Sequence, residues 1–182
     1  NANTKILNTN KKFKTRNKFL LTGCVTIIDS YIEKLTFTSD NLKCEDSINV
    51  IRSEIKKVSF NVKNSYLDGI DFDGSNAGIE NLSVSNSGND CLDLSNGTYI
   101  IFSGKFDKCI DKGISVGEET KLKIYISEIL NTNIGIAIKD SSIVKILDNV
   151  LISNSKKCFN KYIKKNYFSE PELINENKIF CS

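Results

Sequence analysis

At 182 residues, with 25 basic and 22 acidic side chains, the chain is one domain in length and carries a net charge of only +3. That balance is too mild to point to a nucleic-acid partner. Histidine is absent, which excludes Ser-His-Asp and Cys-His nucleophiles and a His-built zinc site, and Arg16 and Arg52 are the only arginines, which leaves few candidates for guanidinium readout of bases or phosphates. The longest apolar stretch, Phe19 to Ile28, is interrupted by Thr22 and Gly23 and is too short to span a bilayer.

Residues Asn1 to Lys18 are polar and lysine-rich, with KKFKTRNK at Lys11–Lys18, and are expected as a solvated lead-in or N-terminal cap. From there a four-residue phrase recurs: CVTI at Cys24, SINV at Ser47, GIDF at Gly69, CLDL at Cys91, GISV at Gly113, GIAI at Gly135 and CFNK at Cys158. The step is 22 or 23 residues throughout, and a fixed period of that length marks a solenoid. Ile48, Ile70, Leu92, Ile114 and Ile136 form one apolar column, and Val50, Phe72, Leu94, Val116 and Ile138 a second. Their period of 2 predicts a strand in each phrase with one face inward.

A second apolar segment follows each phrase, as in Ile55, Val58 and Phe60 or Ile79, Leu82 and Val84. Its spacing breaks strict alternation and predicts a bend between short strands. Turn-forming clusters such as Gly74-Ser75-Asn76, Ser87-Gly88-Asn89 and Ser95-Asn96-Gly97 separate the segments. No helical period is sustained. The predicted fold is all-β: a single-stranded right-handed parallel β-helix of about seven turns over residues 19–160. Residues 161–182, with the only proline at Pro171, are expected as a C-terminal cap over open strand edges.

Cys24, Cys91 and Cys158 share the slot that serine and glycine fill in other turns. They are expected as small buried residues in a stacking column. Spacing also permits Cys24 with Cys44 and Cys158 with Cys181, without assigning either pair.

Residues between the inward positions face out, in columns. The first reads Asn49, Asp71, Asp93, Ser115, Ala137, and the second Ile51, Asp73, Ser95, Gly117, Lys139. A third precedes the phrases: Asp46, Asp68, Asp90, Lys112. Carboxylates thus gather on one side of the middle turns. Asp71 and Asp93 are expected one strand spacing apart, where like charges raise one pKa or recruit a cation such as calcium. The plainer reading has Asp68 and Asp90 capping backbone N–H groups. Tyr66, Tyr99 and Tyr125 are the rings that could stack on sugars.

The phrases LDGIDFDGS, GNDCLDLSNG, DKGISVGEE and IGIAIKD resemble repeats of right-handed β-helix proteins of the pectin-lyase-like superfamily, over about Cys24 to Asn154. That resemblance implies a polysaccharide partner and an extracellular or cell-envelope location. Asp68-Gly69, Gly88-Asn89-Asp90-Cys91, Asp111-Lys112-Gly113 and Ala137-Ile138-Lys139 are similar to successive phrases of polygalacturonase-type glycoside hydrolases. Asn89, Lys112 and Ala137 stand where that family has aspartate, histidine and arginine. An amide at Asn89 cannot supply the proton such hydrolysis needs, and the missing arginine removes a bidentate clamp for a uronate.

Candidate catalytic residues are Asp68, Asp90, Asp93, Lys112 and Lys139. Candidate substrate contacts are Asp71, Asp73, Asn89 and Glu118, and candidate calcium ligands are Asp71 and Asp93. The expected function is a carbohydrate-associated binding or scaffold module. The alternative is a calcium-assisted lyase or epimerase, or a hydrolase, acting on an acidic glycan with Lys112 as a base. A trimeric tailspike-like adhesin would need an apolar stripe along one side, and none is visible in the sequence.

Overall fold

The computed structural model describes residues 2–7, 20–175 and 178–182, with side chains from Leu20 onward. The lysine-rich stretch Lys11–Lys18 lies outside the described residues. Each turn contributes to three parallel faces. The first is built from β2 (Gly23–Ile28), β4 (Asp46–Ile51), the opening residues of β6 (Asp68–Ser87) and β7 (Leu92–Cys109), β8 (Lys112–Gly117), β10 (Ile134–Lys139) and β13 (Lys157–Tyr162). The long strands β3 (Tyr31–Asp40), β5 (Glu54–Ser65), β6, β7 and β9 (Lys121–Leu130) cross the second face, bend and continue along the third. β11 (Ile143–Ile146) and β14 (Glu172–Ile174) extend the second face. β1 (Ala2–Leu7), β12 (Val150–Ser153) and β15 (Ile179–Cys181) extend the third. The seven first-face strands bound six full turns, one fewer than the repeat count suggests. No helix among the described residues is long and apolar enough to cross a membrane.

The inward columns meet along the axis. Ile48, Ile70, Leu92, Ile114 and Ile136, and Val50, Phe72, Leu94, Val116 and Ile138, are all fully buried. Phe37, Phe60, Phe72 and Tyr99 follow one another edge to face, with ring centroids 6.2, 6.0 and 5.4 Å apart, a geometry that aromatic quadrupoles favour. The predicted bend falls where expected, with register shifts between Ile55 and Ser59 as β5 leaves the second face for the third.

The corners have their own columns. Asn41, Asn64, Asn86, Lys108, Asn131 and Asn154 turn the chain from third face to first with φ between 52° and 58°, a region asparagine tolerates well. Their side chains hydrogen-bond from turn to turn: Asn86 Nδ2 donates to Asn64 Oδ1 (3.1 Å), and Asn64 Nδ2 to Asp40 Oδ1 (2.7 Å). At the corner between first and second faces, the backbone N–H of Ser30 donates to Ser53 Oγ, and that of Ser53 to Ser75 Oγ, both at 3.0 Å. The next place in that series is Gly97, where a Cβ would sit 1.9 Å from the Ser75 carbonyl oxygen and 2.9 Å from Tyr99 Oη. Tyr99 supplies the missing acceptor: its Oη receives the Ser75 N–H at 3.3 Å and donates to the Asn96 carbonyl at 3.1 Å. Tyr99 is therefore fully buried and is not a sugar-facing ring.

The cysteine expectation is corrected in the same way. All six cysteines are bonded, as Cys24–Cys44, Cys91–Cys109 and Cys158–Cys181, with Cα–Cα distances of 5.3, 5.4 and 6.0 Å. Each bond joins the start of a turn to its end. In the turn between the first two bonds, Ser47 Oγ and Ser65 Oγ meet at 2.8 Å in the same place. The slot is small because it faces the end of its own turn, and two cysteines there lie within disulfide reach. The segment 161–182 adds β14 and β15 to the stack, tied down by the last of these bonds.

Replacing Tyr99 with Phe keeps the ring packing and strands a buried N–H at Ser75. The expected loss is about 1–3 kcal/mol in urea unfolding, and unchanged stability would show that this link is dispensable.

Candidate functional site

Parallel pairing without slippage puts the predicted columns in exact line. Asn49 pairs with Asp71, Asp71 with Asp93, Asp93 with Ser115 and Ser115 with Ala137. Ile51, Asp73, Ser95 and Gly117 line up two residues further on, and Asp46 pairs with Asp68. Asp71, Asp73 and Asp93 are half-buried and share one window on the first face.

Side-chain hydrogen bonds run along the stack. Asn49 Nδ2 donates to Asp71 Oδ2 (2.6 Å) and Asp73 Oδ2 (3.1 Å). Asp68 Oδ1 accepts from the backbone N–H of Asp90 (2.7 Å) and from Asn89 Nδ2 (2.8 Å). Asp90 Oδ1 accepts the backbone N–H of Lys112 at 3.0 Å, and Lys112 Nζ lies 3.2 and 3.3 Å from its two oxygens. The capping reading of Asp68 and Asp90 thus describes their contacts. Asn89 is held by Asp68, and Lys112 also donates to Asp111.

Lys139 closes the window from below. It is 6% exposed, its stem lies over Gly117, where an added Cβ would be 3.1 Å from Lys139 Cε, and its Nζ donates to Ser115 Oγ at 2.7 Å. The same Nζ is 4.0 Å from Asp93 Oδ1, a buried oxygen with no hydrogen-bond partner among the described residues. Glu118 does not join this group; it sits at the corner to the second face, paired with Lys165. Tyr66 is exposed just ahead of β6, and Tyr125 lies on the far side of the solenoid, stacked on Phe102. The aromatic ring that does flank the window is Tyr162, the register partner of Lys139. Burial raises its phenol pKa, and Lys112, Asp111 and Asp90 all act on it. It falls in the last and least regular phrase, where the repeat gives no signal for it.

Crowding sets the charge of the window. Burial, then Asp73, Asp46 and Asp93, push Asp71 up to about 10, so its carboxyl keeps its proton at neutral pH. Burial raises Asp46 and Asp68 to about 6, and Asp90 to about 7 against the pull of Lys112. Lys112 is raised by Asp111 and Asp90 in spite of its own burial, which makes it a poor base. Calcium takes six to eight oxygens, yet among the described residues no three Asp, Glu or Cys side chains converge on a common metal position.

The sign of the pH dependence follows from these shifts. The folded chain keeps protons on Asp46, Asp68 and Asp71 that the unfolded chain releases near pH 3.8. Stability from these groups is therefore present at low pH and lost as pH climbs through the folded values. The melting temperature is expected to be several degrees lower at about pH 7.5 than at about pH 5. Asp71→Asn should remove part of that loss and melt at or above wild type at the higher pH. A melting temperature that is flat or rises over this window would contradict the assignment.

Residues 18–171 match the family model of the right handed beta helix region. No curated protein and no solved structure matches the chain. With a parallel solenoid over the described residues of that match, the chain belongs to the right-handed β-helix family.

Proposed function

We propose that this β-helix is a carbohydrate-associated module that holds hydroxyl-rich, uncharged stretches of a glycan against its first face. The observation that carries the reading is the window of half-buried carboxyls at Asp71, Asp73 and Asp93, with Lys139 beside Asp93. Carboxyl oxygens at fixed spacing suit paired sugar hydroxyls. The same row of carboxylates repels uronates. Asp68, Asp90 and Asn89 act in this reading as the supports that hold the strands bearing the window. Three disulfides support an oxidising location, outside the cell or in its envelope.

One observation favours a second reading, glycoside hydrolysis. Asp71 keeps its proton at neutral pH, as a general acid must, and its register neighbour Asp93 is one strand spacing away, about 4.8 Å between backbones. Asp71 would protonate the leaving oxygen while Asp93 meets the anomeric carbon or activates a water.

A single experiment separates these readings. The purified protein is incubated with neutral and uronic-acid oligosaccharides, and binding, new reducing ends and unsaturated products are followed. The binding reading predicts association with a neutral oligosaccharide, no turnover, and at least a tenfold loss of affinity in Asp93→Asn. New reducing ends that vanish in Asp71→Asn would favour hydrolysis. Unsaturated products, or no association with any glycan, would overturn both.

A further inference from the structure

The last turns of the second face carry lysines instead. Lys121 and Lys123 point out from β9, and Lys145 on β11 is the direct register partner of Lys123. All three are exposed, and among the described residues none is engaged in an ion pair. The ammonium-bearing stems of Lys123 and Lys145 start about 4.8 Å apart and those of Lys121 and Lys123 about 6.6 Å apart. Like charges stacked this closely repel; the nearest carboxylate along the stack is the single Glu172 on β14, the register partner of Ile143.

An aromatic platform lies beside the lysines. Phe102 and Tyr125 are stacked at 5.4 Å with planes 17° apart, yet are 46% and 38% exposed. Ile100, the register partner of Lys123, connects them to a groove of about 460 Å³ lined by Asn76, Gly78 and Thr98, with the charged pair Glu54 and Lys56 at its far side. Gly78 is required by the strand packing beneath the groove, since an added Cβ would lie 2.5 Å from the Lys56 carbonyl oxygen.

We propose that this strip binds an anionic polysaccharide, with sugar rings lying on Tyr125 and Phe102 and the carboxylate or sulfate groups on Lys121, Lys123 and Lys145. Charge complementarity selects an anion, and the paired, outward aromatic faces select a chain of rings. The absence of arginine on this face argues against phosphate readout, and the three disulfides favour compartments where acidic polysaccharides are the abundant polyanions. The inference rests on the reading of the protein as carbohydrate-associated, but it uses a different face and a different class of glycan.

The test uses the whole chain and four probes: polygalacturonate, dextran sulfate, uncharged dextran and single-stranded DNA. Wild type is expected to bind at least one of the two anionic polysaccharides, more weakly at high salt, and at least tenfold more tightly than DNA. A Lys121→Gln/Lys123→Gln/Lys145→Gln variant should lose at least tenfold in affinity. Tyr125→Ala should lose at least threefold with its salt dependence unchanged, while Asp93→Asn should leave binding of the anionic probe intact. No binding of either anionic polysaccharide, equal or tighter binding of DNA, or lysine and tyrosine variants that bind like wild type would overturn the proposal. Loss of anionic binding in Asp93→Asn alone would instead move that glycan to the first face.

Discussion

Everything here depends on parallel pairing at a constant 22- or 23-residue step. Once one turn is stacked on the next without slippage, each side chain sits directly over its counterpart, about 4.8 Å away. Inward positions must then be apolar, and in the five central turns they all are. Corner positions must tolerate a left-handed backbone in every turn, and asparagine fills most of them at one corner. Outward positions are freer, so that is where chemistry can be placed. There the register turns single residues into rows. A carboxylate repeated once becomes a pair that cannot ionise independently, and a lysine repeated once becomes a cationic strip.

The two rows fare differently because their surroundings differ. The aspartates of the first face are half-buried, crossed by Lys139 and flanked by Tyr162, so their repulsion is expressed as retained protons, Asp71 above all. The lysines of the second face stand in water, which screens their repulsion. A neutral, hydrogen-bonding ligand suits the first environment and an anionic ligand the second. Natural proteins commonly give up stability at functional sites, and the first-face row, whose ionisation opposes folding, fits that pattern.

Much of this was legible in the sequence. The ten-residue apolar core, the bend after Ile55, the outward columns and their register all follow from a repeated four-residue phrase. What the phrase could not convey is what happens where a column is broken. Gly97 replaces a serine in one corner, and the acceptor arrives instead from Tyr99, two residues later and facing inward. The cysteines looked like interchangeable small residues because half of each pair lies in the irregular end of a turn, at Cys44, Cys109 or Cys181. Glu118 was grouped with the acidic row by proximity in sequence, but a left-handed corner turns it away toward Lys165. Tyr162 went unnoticed because the final phrase has lost its alternation.

The central claim is that the stacked carboxyls of the first face form a binding surface rather than inert turn structure. Carbon-13 NMR of the aspartate carboxyls, followed while a neutral oligosaccharide is titrated in, tests it most directly. The account predicts saturable shifts at Asp71, Asp73 and Asp93, with Asp71 still protonated at neutral pH before ligand is added. Carboxyl signals that stay fixed while the glycan binds elsewhere, or an Asp71 already ionised at that pH, would contradict it.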